Sequence, residues 1–203
     1  MTTARSAQVA EDGRVRCGWL DGSRLAAGDY LMYRDYHDYE WGQPVRDSAH
    51  LFERISLEAF QSGLSWLIIL RKRENFRAAF DGFDAERVAR YTDRDVERLL
   101  SDTGIVRNRA KIEATIANAR AVAALDDDGV DLAELLWSYA PPPRPRPAEL
   151  SQVPASTPES TAMSKELKRR GFRFVGPTTA YALMQATGMV DDHVAACWVA
   201  PVR

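Results

Sequence analysis

The sequence predicts an all-α fold, and three observations carry that prediction. Apolar residues recur at helical spacing, as in the stripe Ile112, Ile116, Ala119 and Ala123. Helix starts and stops bracket the apolar stretches: Asp47-Ser48, Ser65, Asp84 and Thr92 are N-cap candidates, and Gly63, Gly171 and Gly188 are stops. No stretch shows the apolar–polar alternation of a half-buried strand, and no internal repeat is present. The 203 residues suffice for one domain with a sizeable core, here residues 13–203 in two helical subdomains.

In order along the chain, residues 1–12 are polar and lack the apolar centre of a signal peptide. An unordered leader and a cytoplasmic protein with reduced thiols are expected. Cys17-Gly-Trp19 opens the folded part. Five of the twelve residues from Tyr30 to Trp41 are aromatic, a density suited to a core or to a concave site lined with flat faces. Helices are expected over 49–61 and 66–80, then over 85–90 and 93–101. A short turn holding Gly104 leads into a helix reaching about residue 124, and another follows over 132–139. Seven of the ten prolines fall between Pro141 and Pro158, which makes 140–158 an extended, irregular loop. The last helices are expected over 160–171 and 177–188.

One carboxylate stands out. Between Arg54 and Arg71 lie sixteen largely apolar residues, and Glu58 is the only charged one among them. The run is too short for a membrane span, so it belongs in a core. A carboxylate there costs several kcal/mol unless it is protonated, paired or bound. Glu58 is therefore read as the floor of a binding pocket; the plainer alternative is an arginine from a neighbouring helix that neutralises it.

The net charge of −2 gives no global basic field. Positive charge is nevertheless clustered at Arg71-Lys72-Arg73, at Arg107, Arg109 and Lys111, and at Lys165, Lys168, Arg169, Arg170 and Arg173. Such clusters can follow phosphates locally, although a solvated helix face explains any one of them.

Both cysteines and two of the three histidines form a second constellation: Cys17, His37 and a terminal His193-x-x-x-Cys197. Ligands four apart on a helix share one face, and a reduced set of two thiols and two imidazoles suits zinc. Four protein ligands leave no position for a reactive water, so such an ion would staple the chain rather than catalyse. Two buried thiols and two unrelated histidines are the alternative, since the spacing is not that of a standard finger. His50 is assigned to the solvent face of its helix.

Several short motifs in order resemble the 3-methyladenine DNA glycosylase I family. They are Cys17-Gly-Trp19, Tyr36-His37-Asp38-x-Glu40-Trp41-Gly42, Leu57-Glu58-x-x-Gln61-x-Gly63-Leu64-Ser65-Trp66, Lys72-Arg73-Glu74-Asn75, Lys168-x-x-Gly171-Phe-x-Phe-Val-Gly176, Met184-Gln185-Ala186 and Asp192-His193-Val194-x-x-Cys197. The likeness spans Cys17 to Cys197. Departures are mild: Ala59 stands where a glycine is frequent, Tyr39 occupies a variable position, and the proline-rich loop is unusually basic.

The resemblance implies a helix-hairpin-helix glycosylase fold with a structural zinc on Cys17, His37, His193 and Cys197. It implies that Glu58, Tyr36 and Trp66 recognise an excised base, with Trp19, Tyr33 and Trp41 around the pocket, and that the hairpin is 99–119 with Gly104 at its turn. Backbone N–H groups there, with Arg107, Arg109 and Lys111, would meet phosphates of double-stranded DNA carrying alkylated bases. A monomer with no membrane partner is expected. No lysine is placed to attack the sugar, and Trp137 and Ser138 occupy the region where relatives carry a catalytic aspartate, so the chemistry implied is monofunctional base excision in which Glu58 acts. A DNA-binding module without catalysis and a zinc hydrolase are the competing readings; the second needs an exchangeable water on the metal.

Overall fold

In the computed structural model, which describes residues 6–201, helices form where a cap and an apolar stripe coincide. The aromatic stretch is itself a helix, α1 (Ala27–Tyr39), whose Tyr30, Tyr33 and Tyr36 are spaced three apart and share a face. α2 (Ser48–Gln61) starts where Asp47 accepts the His50 N–H at 2.8 Å. α3 (Trp66–Ala79) follows a left-handed Gly63, and α4 (Ala85–Ala89) is capped by Asp84. A Thr92–Asp95 capping box opens α5 (Asp93–Ser101), and Asn108 caps α6 (Arg109–Asp127). Asp131 caps α7 (Leu132–Trp137). α8 (Pro158–Arg169) has proline in its first turn behind a Thr157–Ser160 capping box, and α9 (Pro177–Ala186) is the last helix. The all-α expectation holds, with boundaries close to those read from the caps. No helix among the described residues is long and apolar enough to cross a membrane.

The chain divides into two units. The larger comprises Val45–Ala140 and Ser156–Leu183. Its core is aromatic: Phe52, Phe60, Phe76, Phe80 and Phe83 are fully buried, and the rings of Phe80 and Phe83 stack with centroids 5.5 Å apart. Burying each such side chain contributes about 2 kcal/mol. α2 packs against α3, α6 and α7, and α4 packs against α6. In the α5–α6 turn a Cβ on Gly104 would lie 2.9 Å from Asp102 Oδ1 and 3.1 Å from Asn75 Cβ, so glycine is required there by space. The α8–α9 turn is held just as firmly. The buried Asn118 accepts the Arg173 N–H at 2.7 Å and donates to its carbonyl at 3.2 Å, while Ser164 Oγ donates to Val175 O at 2.6 Å. Between these anchors Phe174 adopts a left-handed φ of 56°.

The smaller unit comprises residues 6–44, Pro141–Ala155 and 184–201. It holds the one sheet among the described residues, an antiparallel ribbon of β1 (Ala7–Val9) and β2 (Val15–Cys17) with Ala7 opposite Cys17. The unordered leader expected over 1–12 is thereby corrected for its later part; residues 1–5 lie outside the described residues. Three-residue strands are too short to show alternation. Their anchors are also distant in sequence: Trp198 N–H donates to Val15 O at 2.8 Å, and Leu150 N–H to Ser6 Oγ at 3.4 Å. The proline-rich loop is irregular, as expected, and its arginines are engaged within the unit. Arg144 pairs with Asp192 at 2.8 Å, and Arg146 pairs with Asp191 at 2.7 Å. A second correction concerns His193 and Cys197. They lie on successive turns, with Cys197 N–H bonded to Val194 O at 2.8 Å, and not on a helix.

Candidate functional site

Glu58 sits in the middle of α2 with only 5% of its surface exposed. It lines a small cavity with Ile55, Leu167, Val175, Thr179 and Leu183, contributed by α2, α8, α9 and the α8–α9 turn. Removal from water pushes its carboxyl up to about 8, and the positive charge of Arg54, one turn earlier, offsets only part of that. At neutral pH the side chain is therefore a neutral acid that a nearby cation can ionise. Trp66, the first residue of α3, is buried in the same unit.

Tyr36 belongs to the smaller unit, buried on α1, and Tyr33 stacks beside it with centroids 6.5 Å apart at 20°. Burial raises the Tyr33 phenol pKa, so its hydroxyl stays neutral. Of the two tryptophans expected around a pocket, Trp19 packs on Tyr33 and on Trp41, with centroids 5.2 Å apart in each case, and both tryptophans also meet histidines. Trp19 lies 5.1 Å from His37, and Trp41 meets His193 edge-on at 4.6 Å.

Those histidines complete a buried cluster. The donor atoms of Cys17, His37, His193 and Cys197 all lie within 4.8 Å of one another. Cys17 Sγ is 3.5 Å from His193 Nδ1, and Cys197 Sγ is 3.5 Å from His193 Nδ1 and 3.6 Å from His37 Nε2. The nitrogens facing away from the sulfurs are occupied: His37 Nδ1 lies 2.8 Å from Asp38 Oδ1, and His193 Nε2 lies 3.2 Å from Trp41 O. Both rings thus turn their other nitrogen toward the thiols, the arrangement that metal-bound histidines adopt. The neighbouring Cys17 thiol, with the two histidines, lowers the Cys197 thiol from its usual range. The cluster can hold a metal ion, and four protein donors would close its coordination.

The residues expected at phosphates have separate fates. Gly104 lies at the α5–α6 turn, and Arg107 is exposed just before α6. Arg109 is half-exposed and pairs with Glu97 at 2.5 Å and Glu113 at 3.6 Å. Lys111 departs from expectation. It is buried, with Nζ 2.8 Å from Phe60 O and 2.5 Å from Ser62 O, so its charge serves the last carbonyls of α2. A lysine three residues into a helix reads as a surface cation until the neighbouring helix end is known. Sequence reading gave no role to Arg16, Asp38 and Trp198, which flank three of the cluster residues.

This fold is shared with DNA glycosylases. The chain is 47% identical to DNA-3-methyladenine glycosylase 1 of Escherichia coli (strain K12) over 188 residues, 92% of this chain and 97% of that protein. A crystal structure of 3-methyladenine DNA glycosylase I, 47% identical, superposes with a TM-score of 0.85 over 92% of this chain and 100% of that one. A variant of 3-methyladenine DNA glycosylase I in complex with 3-methyladenine, 36% identical, gives 0.81 over 85% of this chain and 94% of its own. The methyladenine glycosylase family model matches residues 26–200. The chain belongs to that family.

Proposed function

We propose that the protein excises 3-methyladenine from alkylated double-stranded DNA as a monofunctional glycosylase, working as a monomer in the cytoplasm and leaving an abasic site. The observation that carries this reading, beside family membership, is the dry carboxyl of Glu58. Inside a duplex the glycosidic bond is out of reach, so the damaged nucleotide is rotated out at a cost of a few kcal/mol. Methylation at the 3 position gives the attached adenine a positive charge and weakens its bond to the sugar. As that cation approaches, Glu58 releases its proton to water and the resulting carboxylate accepts from the exocyclic amine. Ionising an acid with a pKa near 8 at pH 7 costs about 1.4 kcal/mol, less than a neighbouring cation returns in a desolvated site. Uncharged adenine offers no such return, so it is rejected on electrostatic grounds.

Trp66, in the same unit as Glu58, is assigned a face of the base, where cation–π attraction contributes roughly 0.5–2 kcal/mol per ring. Tyr36 keeps the base-recognition role that the family resemblance implies. Tyr33, Trp19 and Trp41 back Tyr36 and the histidines. When the C1′–N9 bond breaks, its electron pair neutralises the ring charge, water adds to C1′, and the water's second proton passes to solvent. Glu58 thus acts by binding the departing base as its charge changes.

Arg107 is assigned to a phosphate, joined by Arg109, whose surface ion pairs are weak enough to exchange partners. Lys111 leaves that set. The α8–α9 turn, with exposed Arg173, is assigned a second phosphate contact, because its Val175 lines the Glu58 cavity.

The metal is assigned as zinc. Tetrahedral zinc with bonds of about 2.3 Å to sulfur and 2.0–2.1 Å to nitrogen sets sulfur–nitrogen edges of about 3.6 Å. The three separations here are 3.5, 3.5 and 3.6 Å. Bound there, the ion supplies a cross-link between distant parts of the chain. Incubating the protein with methylated duplex DNA and separating the products by chromatography tests the activity. Free 3-methyladenine is the expected product; its absence, with abundant substrate bound, would favour a DNA-binding module without catalysis.

A further inference from the structure

The side chains behind the cluster come from the residues beside its ligands. Arg16 precedes Cys17, Asp38 follows His37, and Trp198 follows Cys197. Asp38 Oδ1 is the hub. It lies 2.8 Å from His37 Nδ1, and it accepts from Arg16 Nε at 2.9 Å and Trp198 Nε1 at 3.1 Å. Asp38 Oδ2 accepts from Arg16 Nη2 at 2.7 Å, and both side chains of this pair are 1% exposed. The outer edge of the Arg16 guanidinium meets Asp12, with Nη1 2.9 Å from Oδ1 and Nη2 2.8 Å from Oδ2. Asp12 sits in the turn between β1 and β2.

Two further ties run from the same ribbon. Val15 O accepts the Trp198 N–H at 2.8 Å, and the Arg14 guanidinium lies 3.8 Å above the Trp198 ring. Residues 12–16 therefore grip the neighbours of His37 and Cys197. His193 is oriented separately, by the carbonyl of Trp41 at 3.2 Å. The ribbon precedes residues 26–200, the part of the chain that the family model matches.

A buried arginine between two carboxylates could serve the ribbon alone. The geometry around His37 argues for more. A carboxylate oxygen that takes the Nδ1 hydrogen leaves the Nε2 lone pair directed at the sulfurs, and such outer partners fix tautomer and ring orientation in metal centres. We propose that the β1–β2 ribbon is a retention latch for the metal ion. Through Asp12, Arg16 and Asp38 it holds His37 in its ligating orientation, and through Arg14 and Val15 it keeps Trp198, and with it Cys197, in place. Release of the ion then requires the ribbon to lift. This rests on the zinc reading of the cluster.

The test uses the full chain loaded with zinc, counting bound metal and following its transfer to a chromophoric chelator. Asp12→Asn changes an exposed turn residue outside the ligand set, and several-fold faster release is expected. Asp38→Asn is expected to speed release 10–100-fold and to shift the visible bands of the cobalt-substituted protein. For both variants the melting temperature of the loaded form should fall more than that of the metal-free form. Wild-type release rates and unshifted cobalt bands in both would overturn the latch, as would equal losses of melting temperature with and without metal. A wild-type chain that retains no stoichiometric zinc would overturn the metal reading itself, a result distinct from failure of the latch alone.

Discussion

The Lys111 ammonium nitrogen lies 2.8 Å from the carbonyl oxygen of Phe60, closing the end of the helix that carries Glu58. A cation at a helix C-terminus satisfies carbonyls that have no intrahelical partner and complements the helix dipole. Lys111→Met should lower stability by about 2 kcal/mol in chemical denaturation, because buried carbonyls lose their donor. The salt dependence of DNA binding should stay as in the wild type. A changed salt slope would return Lys111 to the phosphate contacts.

Glu58 makes stability depend on pH with a sign opposite to most carboxylates. Its ordinary value is 4.5 and burial raises it to about 8, so between these values the folded chain holds a proton that the unfolded chain has released. Stability then falls as pH rises through that window and levels off above it. Glu58→Gln removes the dependence. Its stability relative to wild type, measured by chemical denaturation, should rise by a few kcal/mol between pH 5 and pH 8.5. A difference independent of pH would refute the buried neutral acid.

The cluster should act in stability before it acts in chemistry. Cys197→Ser removes one of four donors, and several kcal/mol of metal-linked stability should go with it. In a chain of this size that corresponds to a melting temperature lower by roughly 10 °C. Excision at low temperature should persist at a reduced level. Complete loss of excision in a folded variant would place the metal in the reaction.

Arg107 is exposed and carries the phosphate assignment most directly. Arg107→Ala should weaken duplex binding about tenfold at low salt and reduce the slope of log affinity against log salt by about 1. Binding of the free base should not change. An unaltered slope would remove this turn from the DNA contacts.

Much of the fold was legible because caps are local. Asp47, Asp84 and Thr92 begin helices for reasons contained within four residues, and the structure places helices after each. Glu58 was legible for the same kind of reason, since a solitary charge in an apolar run implies desolvation wherever the run packs. The failures were non-local. β1 and β2 depend on Trp198 and Leu150, which no window around residue 10 contains. His193 and Cys197 were given a helix because four-residue spacing suits one, yet turns deliver the same approach of ligand atoms. Lys111 was misplaced because its partners, Phe60 and Ser62, lie about fifty residues away.

The order of synthesis gives the cluster a further consequence. Cys17 and His193 are separated by 176 residues of chain, and His37 and Cys197 by 160. At a synthesis rate of 5–20 residues per second, His193 and Cys197 emerge on the order of ten seconds or more after Cys17 and His37. Through that interval a nascent chain exposes one thiol and one imidazole that cannot yet enclose an ion. Closure of the centre is therefore a late event in biogenesis, and a shortage of metal would be felt by finished chains awaiting maturation.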